Sequence, residues 1–117
     1  EIDERLKTIK IRLDNEDDLW ELYNILYTGD VLVGRTTREM KTNDSSYRRS
    51  MTVAIKVEWA EMQPMSNRLR VHGIIIDCPD DVEIKGKHHT VNLDPGRMAK
   101  IKRRAQLSWQ LMMFSQS

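Results

Sequence analysis

This 117-residue chain has little of what usually declares an enzyme. It has one cysteine, Cys78, which excludes an internal disulfide and suits a reducing cytosol. It has three histidines, His72, His88 and His89, and no Cys-x-x-Cys or His-x-x-x-His spacing that would favour zinc. His88 and His89 are neighbours in a strand-like run, so they point to opposite faces and are poorly placed to share an ion. No serine or cysteine nucleophile with a partnered base is legible, and no glycine-rich phosphate loop is present. No internal repeat or low-complexity block appears. No apolar run approaches the roughly 20 residues that span a bilayer. No signal peptide is visible, and because the chain opens on Glu1 rather than Met, its true start is left open.

What is present fits a soluble globular domain. Hydrophobic residues make up 39% and charged residues 32%, too apolar for a disordered chain. A length of 117 residues predicts one domain with a modest core. The net charge of +1 is uninformative; the distribution is not. Acidic residues crowd positions 14–21. Basic residues crowd positions 35–49 and 97–104.

Periodicity sets the elements. Ile9, Ile11 and Leu13 alternate with Lys10 and Arg12 as a first strand. A helix is predicted over 16–27, with Asn15 as N-cap and Asp18 three residues on as a partial capping box. Glu16, Asp17 and Asp18 place negative charge at the positive end of its dipole. Leu19, Leu22, Tyr23 and Leu26 form its apolar stripe, and Gly29 is expected to stop it with a left-handed cap. A second strand is predicted over 30–36. Residues 37–49 read as a mobile polar turn around Asn43-Asp44-Ser45-Ser46. Met51, Val53, Ile55, Val57 and Trp59 share the inward face of a strand over 51–62, which makes Trp59 a core residue. Residues 63–67 are a hairpin turn and 68–76 the next strand, with Gly73 marking a sharp bend or close backbone approach. Short strands at 88–93 and 98–102 follow, joined by the Asp94-Pro95-Gly96 turn. From Arg103 onward the pattern looks helical, with Leu107, Leu111 and Phe114 at i, i+4, i+7. The fold class is mainly β (α+β): five to six short, bent strands with one early helix, curled into a small sheet or barrel.

The basic stretches are the candidate binding surfaces. Arg35, Arg38, Lys41, Arg48 and Arg49 on a projecting element suit phosphates, and Tyr47 suits stacking on an unpaired base. An ordinary solvated hairpin loop has the same composition. Arg97, Lys100, Lys102, Arg103 and Arg104 form a second set that fits either RNA backbone or a charged strand end facing water. Two acidic clusters, Asp14/Glu16/Asp17/Asp18/Glu21 and Asp77/Asp80/Asp81/Glu83, are the places where a metal nuclease would need paired carboxylates. Helix capping explains the first and turn chemistry the second. Cys78 reads as an inert turn residue. Trp20, off the main helix stripe, suits packing at a sheet edge.

A series of short motifs carries a family resemblance. Asp17-Asp18-Leu19-Trp20, Leu22-Tyr23-Asn24, Gly29-Asp30, Thr36-Thr37-Arg38, Gly73, Pro79-Asp80-Asp81-Val82, His89-Thr90 and Asp94-Pro95-Gly96 fall in order and at the spacing of the archaeal Pelota family. The resemblance implies an Sm-like barrel as an amino-terminal domain over 1–104, with 105–117 starting a linker or helix towards further domains. It implies a cytoplasmic, monomeric RNA-binding module of an mRNA surveillance factor. That factor would meet ribosomal RNA and mRNA at the decoding centre of stalled ribosomes. It would act in ribosome rescue and no-go decay with a translational GTPase of the elongation-factor type, which would bind the downstream domains. Two rivals remain: a divalent-metal-dependent endoribonuclease cutting the stalled mRNA, an activity attributed to the family, and an Sm-like ring-forming interaction module. No cofactor is implied except a divalent cation under the nuclease reading, and no catalytic residue is assigned.

Overall fold

A computed structural model describes residues 6–104. The elements run β1 (Leu6–Leu13), α1 (Glu16–Ile25), β2 (Val31–Lys41), β3 (Ser46–Gln63), β4 (Arg68–Asp77), β5 (His88–Leu93) and β6 (Arg97–Arg104). All six strands form one antiparallel sheet in the order β1-β6-β2-β3-β4-β5. The mainly β class, the strand number and the single early helix match the sequence. The sheet curls into a half-barrel, bringing β5 over β2: a Cβ on Gly34 would lie 3.8 Å from Val91. The expected linker or helix over 105–117, including Trp109, lies outside the described residues. Among the described residues, no helix is long and apolar enough to cross a membrane.

The helix forms where its cap allows. Asn15 accepts from the Asp18 amide at 3.1 Å while Asp18 accepts from the Asn15 amide at 3.3 Å, so the capping box is complete. Leu19 and Leu22 are fully buried, and α1 packs against β1, β3 and β4. The helix ends at Ile25, two residues before the expected end at 27, because Leu26 takes an extended conformation. Gly29 does adopt a left-handed backbone (φ +98°), but in the turn into β2 rather than as the helix cap. That turn is fixed by Asp30. Its carboxylate is almost fully buried; it accepts from the Tyr27 amide at 2.8 Å and from Arg103 at 2.9 and 2.6 Å. The Arg103 guanidinium also donates to the Ile25 carbonyl and lies 4.5 Å above the Tyr27 ring. Arg103 is therefore a strand residue of β6 clamping the helix end, and neither a helix start nor a free cation.

The core is the concave face of the sheet: Leu32, Val53, Ile55, Val71, Leu93 and Ile101 are essentially inaccessible. Each such side chain contributes about 1.5–3 kcal/mol on burial. One close contact shapes this face. A Cβ on Gly73 would stand 2.1 Å from the Lys56 carbonyl oxygen, so β4 approaches β3 more closely than any other residue permits. At the same point β3 gains one residue: Val57 faces Gly73, Trp59 faces His72, and Glu58 is left over as a bulge. The bulge reverses the faces. Ala60 and Met62 continue the core, while Trp59 turns outward and is 44% exposed. The core role expected for Trp59 is thus corrected: strict alternation fails where an extra residue intervenes.

Gly73→Ala is expected to destabilise the domain by at least about 3 kcal/mol, the upper end for overpacked sites, because the obstacle is backbone and cannot rotate away. Urea unfolding checks it; a loss under about 1 kcal/mol would show that the strands can separate at low cost. Asp30→Ala strands Arg103 and removes its carboxylate from two donors, and should cost about 3–5 kcal/mol in the same assay.

Candidate nucleic-acid interface

The basic run expected as a mobile turn over 37–49 is a paired ribbon. β2 and β3 remain in register from Val31↔Lys56 to Lys41↔Ser46, and the true turn is only residues 42–45. It is closed by Thr42, whose amide and hydroxyl donate to the Ser45 carbonyl at 2.7 and 3.0 Å. Nine further residues, 37–41 and 46–49, are therefore held at strand geometry rather than on a flexible loop. A run of polar residues hid this, because exposed strands need no apolar alternation.

The pleat sorts the candidate residues into two groups, since successive side chains in a strand face opposite ways. Arg35 and Lys41 of β2 share the outer face with Arg48 of β3. Arg38 of β2 shares the inner face with Tyr47 and Arg49 of β3. Arg38 stands opposite Arg49, and Glu39 opposite Arg48.

The inner-face arginines brace the ribbon. Arg49 makes a two-pronged ion pair with Asp81, at 2.7 and 3.1 Å. Hydrogen bonds from Arg49 hold the Asp81 carboxyl below its usual pKa and raise that of the guanidinium. Arg49 is thereby committed to the turn after β4, and its fork is not open to a phosphate. Arg38 donates to His89 Nδ1 at 3.0 Å and approaches the His88 carbonyl at 3.5 Å. A guanidinium only donates, so Nδ1 accepts and the proton sits on Nε2, which donates to the buried Thr36 hydroxyl at 2.8 Å. This Thr36–His89–Arg38 chain joins β2 to β5 across the curl. In the sequence His89 stands out only through the His89-Thr90 motif; its polar role needs the curl to become visible. Tyr47 remains 48% exposed.

The outer face is where free cations gather. Arg35, Lys41 and Arg48 are exposed, and among the described residues none has a carboxylate within ion-pair range. Register adds others. Lys100 lies opposite Val33 and Lys102 opposite Val31 on one side of β2; Lys56 lies opposite Val31 on the other; Lys10 pairs with Lys100 on β1. The two basic stretches of the sequence therefore merge into one surface across β1, β6, β2 and β3. Lys10 and Lys56 join this surface only through strand pairing, which their own segments do not reveal. Arg97 donates to the Arg35 carbonyl at 3.4 Å.

Neither acidic cluster converges on a point. Asp18 is spent in the helix cap, Asp81 in the Arg49 pair, and Asp77 accepts from the Cys78 amide at 3.0 Å. Among the described residues, the three metal-ligating side chains that do converge are Glu58, His72 and His88. They are contributed by three different strands, so no sequence spacing announces them. His88 and His89 do face opposite ways, as expected.

A curled, six-stranded antiparallel sheet with one early helix and a braced, projecting hairpin belongs to the class of small β-barrel-like domains. Comparison with known proteins makes the assignment narrower. The family model for the Pelota N-terminal domain matches residues 1–116, and the chain belongs to that family. It is 46% identical over 96 residues to the Pelota homologue of Metallosphaera sedula, covering 82% of this chain and 28% of that protein. The chain thus spans between a quarter and a third of the length of such relatives. A solved structure of ribosome-bound archaeal Pelota with ABCE1 superimposes with a TM-score of 0.68 at 24% identity, over 81% of this chain and 28% of the other. S. cerevisiae Dom34, a translation termination-like factor of RNA quality control that interacts with Hbs1, gives 0.60 at 21% identity, over 84% and 27%. At those identities the two structures show shared fold alone.

Burial, then the neighbouring Arg38 charge and then His72, hold the pKa of His89 below its ordinary value of about 6.5. The unfolded chain takes up this proton first as pH falls, so His89 stabilises the fold fully above about pH 6.5 and progressively less as pH drops towards the folded value. The melting-temperature gap between wild type and His89→Gln should be widest near pH 8 and shrink towards pH 5. A gap independent of pH would mean that the imidazole does not titrate differently in the two states.

Proposed function

We propose that this chain is the amino-terminal, RNA-facing domain of a Pelota-type ribosome-rescue factor, acting in the cytoplasm on stalled ribosomes. The reading is supported by the family membership and by one structural observation: the unpaired cations of the outer hairpin face form a continuous surface on a ribbon braced from below. Phosphate contacts need positive charge at defined positions, and Arg35, Lys41 and Arg48 supply it, extended by Lys100 and Lys102. Tyr47 on the opposite side of the tip offers a ring for an unstacked base. Chemistry is not asked of this domain. It positions; a translational GTPase acts through segments beyond residue 104, and release of the stalled ribosome with no-go decay of its mRNA follows.

The domain works as a monomer in this reading. The rival nuclease reading receives no support from the acidic clusters, whose members are engaged in capping and ion pairing. The ring-forming reading requires exposed strand edges to pair. At one of the two sheet edges, β5 is only six residues long and is tied back through His89, which leaves little of that edge to recruit another chain.

Charge reversal at Lys41 and Arg48 together should weaken binding to ribosomes, or to a single-stranded RNA, by at least about tenfold near physiological salt and flatten its salt dependence by about one to two units of slope. Arg49→Gln should change affinity by less than about threefold. Equal losses from both changes would return Arg49 to the contact surface, and unchanged affinity in the double reversal would remove the outer face from the interface. Sedimentation of the chain should give a monomer mass.

A further inference from the structure

The outer surface of β3, β4 and β5 carries a second constellation, separate from the basic hairpin face. Glu58, the bulged residue of β3, projects beside His72 of β4 and His88 of β5. Glu58 Oε1 lies 3.3 Å from His88 Nδ1 and 3.6 Å from His72 Nε2, and the three ligand atoms all fall within 4.8 Å of one another. We propose that these three side chains form a binding site for a borderline divalent transition-metal cation, of which Zn2+ is the type.

The separations support this directly. Hydrogen bonds between nitrogen and oxygen close to about 2.7–3.2 Å. Donors held about 2.0–2.1 Å from a tetrahedral ion stand about 3.3–3.4 Å apart. The carboxylate is thus spaced from the imidazoles as ligands around a cation are spaced. The donor set gives the class of ion: two imidazoles and a carboxylate suit zinc and its neighbours, whereas magnesium and calcium take oxygen.

The surroundings prepare one ligand in particular. His72 Nδ1 lies 2.9 Å from the Thr90 hydroxyl of the neighbouring strand. With Nδ1–H donating there, the lone pair of Nε2 points towards Glu58, the orientation that outer partners impose on metal-bound histidine. Trp59 stacks on the other side of this ring at 4.9 Å and 13°, fixing its plane. His88, stacked on His72 at 5.5 Å, is 61% exposed and free to turn its ring by the small rotation that aims Nδ1 at a shared ion. The exposed side leaves a fourth position to water or to a donor from a partner. An ion bound here joins three consecutive strands at the point where the bulge breaks the β3–β4 ladder.

Isothermal titration of the tag-free chain with Zn2+ should find one ion per chain, and saturating Zn2+ should raise the melting temperature by about 5 °C. Co2+ at the same site should develop the visible absorption of a four-coordinate ion. His88→Ala and Glu58→Gln, both on the surface, should each weaken Zn2+ binding by at least about 100-fold, and Thr90→Val by about 10- to 100-fold. Cys78→Ser should leave binding unchanged. The proposal is overturned if Zn2+ shifts neither heat nor melting temperature, or if stoichiometric binding survives in His88→Ala and Glu58→Gln at the wild-type affinity. Loss of binding in Cys78→Ser would likewise place the ion elsewhere. RNA affinity is not a readout of this test, so it stands or falls apart from the hairpin reading.

Discussion

The close approach of β4 to β3 between Gly73 and the Lys56 carbonyl determines most of what surrounds it. Two strands that meet this tightly cannot stay flat, and the extra residue in β3 absorbs the mismatch. Three consequences follow from that one contact. The sheet bends, so β5 swings over β2 and His89 meets Thr36 and Arg38. The faces of β3 exchange beyond Val57, so Trp59 leaves the core and stacks outside on His72. Glu58 is released from strand pairing and turns towards two imidazoles. A single missing side chain thereby places both the polar closure of the half-barrel and the constellation on its outer surface.

The hairpin shows the same economy with charge. Six basic or aromatic residues close in sequence look like one patch, but alternation divides them between two faces with different tasks. On the inner face, Arg38 and Arg49 are bound to His89 and Asp81. On the outer face, Arg35, Lys41 and Arg48 keep their charges unpaired. The first group makes the second effective. Ordering a long flexible loop on a partner loses entropy for every immobilised residue, whereas a ribbon already fixed at strand geometry loses little beyond its side chains.

Local interactions were legible in the sequence; distant ones were not. The capping box of α1 involves residues three apart and was read from Asn15 and Asp18. The strands over 51–57 and 69–75 were read because one buried face imposes a period of two. Gly73 was recognised as a bend or close approach, since glycine in mid-strand has few other uses. The failures share another cause. Trp59 depended on a bulge, which is a property of two strands and not of one. The length of β2 and β3 was underestimated because their outer halves carry mostly polar side chains on both faces and give no apolar alternation. The Arg49–Asp81 and Arg103–Asp30 pairs join residues 32 and 73 positions apart. Nothing in either neighbourhood marks one partner for the other.

The net charge of +1 conceals how the molecule presents itself to an anion. Its 19 basic and 18 acidic side chains nearly cancel in number, but many carboxylates are occupied where they stand. Asp18 caps a helix, Asp30 holds Arg103, Asp81 holds Arg49, and Asp94 holds Arg68 at 2.8 Å. Carboxylates used in this way neutralise particular cations and leave others uncompensated. Several of those others lie on the outer face of β1, β6, β2 and β3, and neighbours on paired strands there stand within a Debye length, about 8 Å at physiological ionic strength. Their fields add there while the whole chain stays near neutrality. Any attraction for a polyanion is then stronger towards that surface, which biases the orientation of approach as well as its rate.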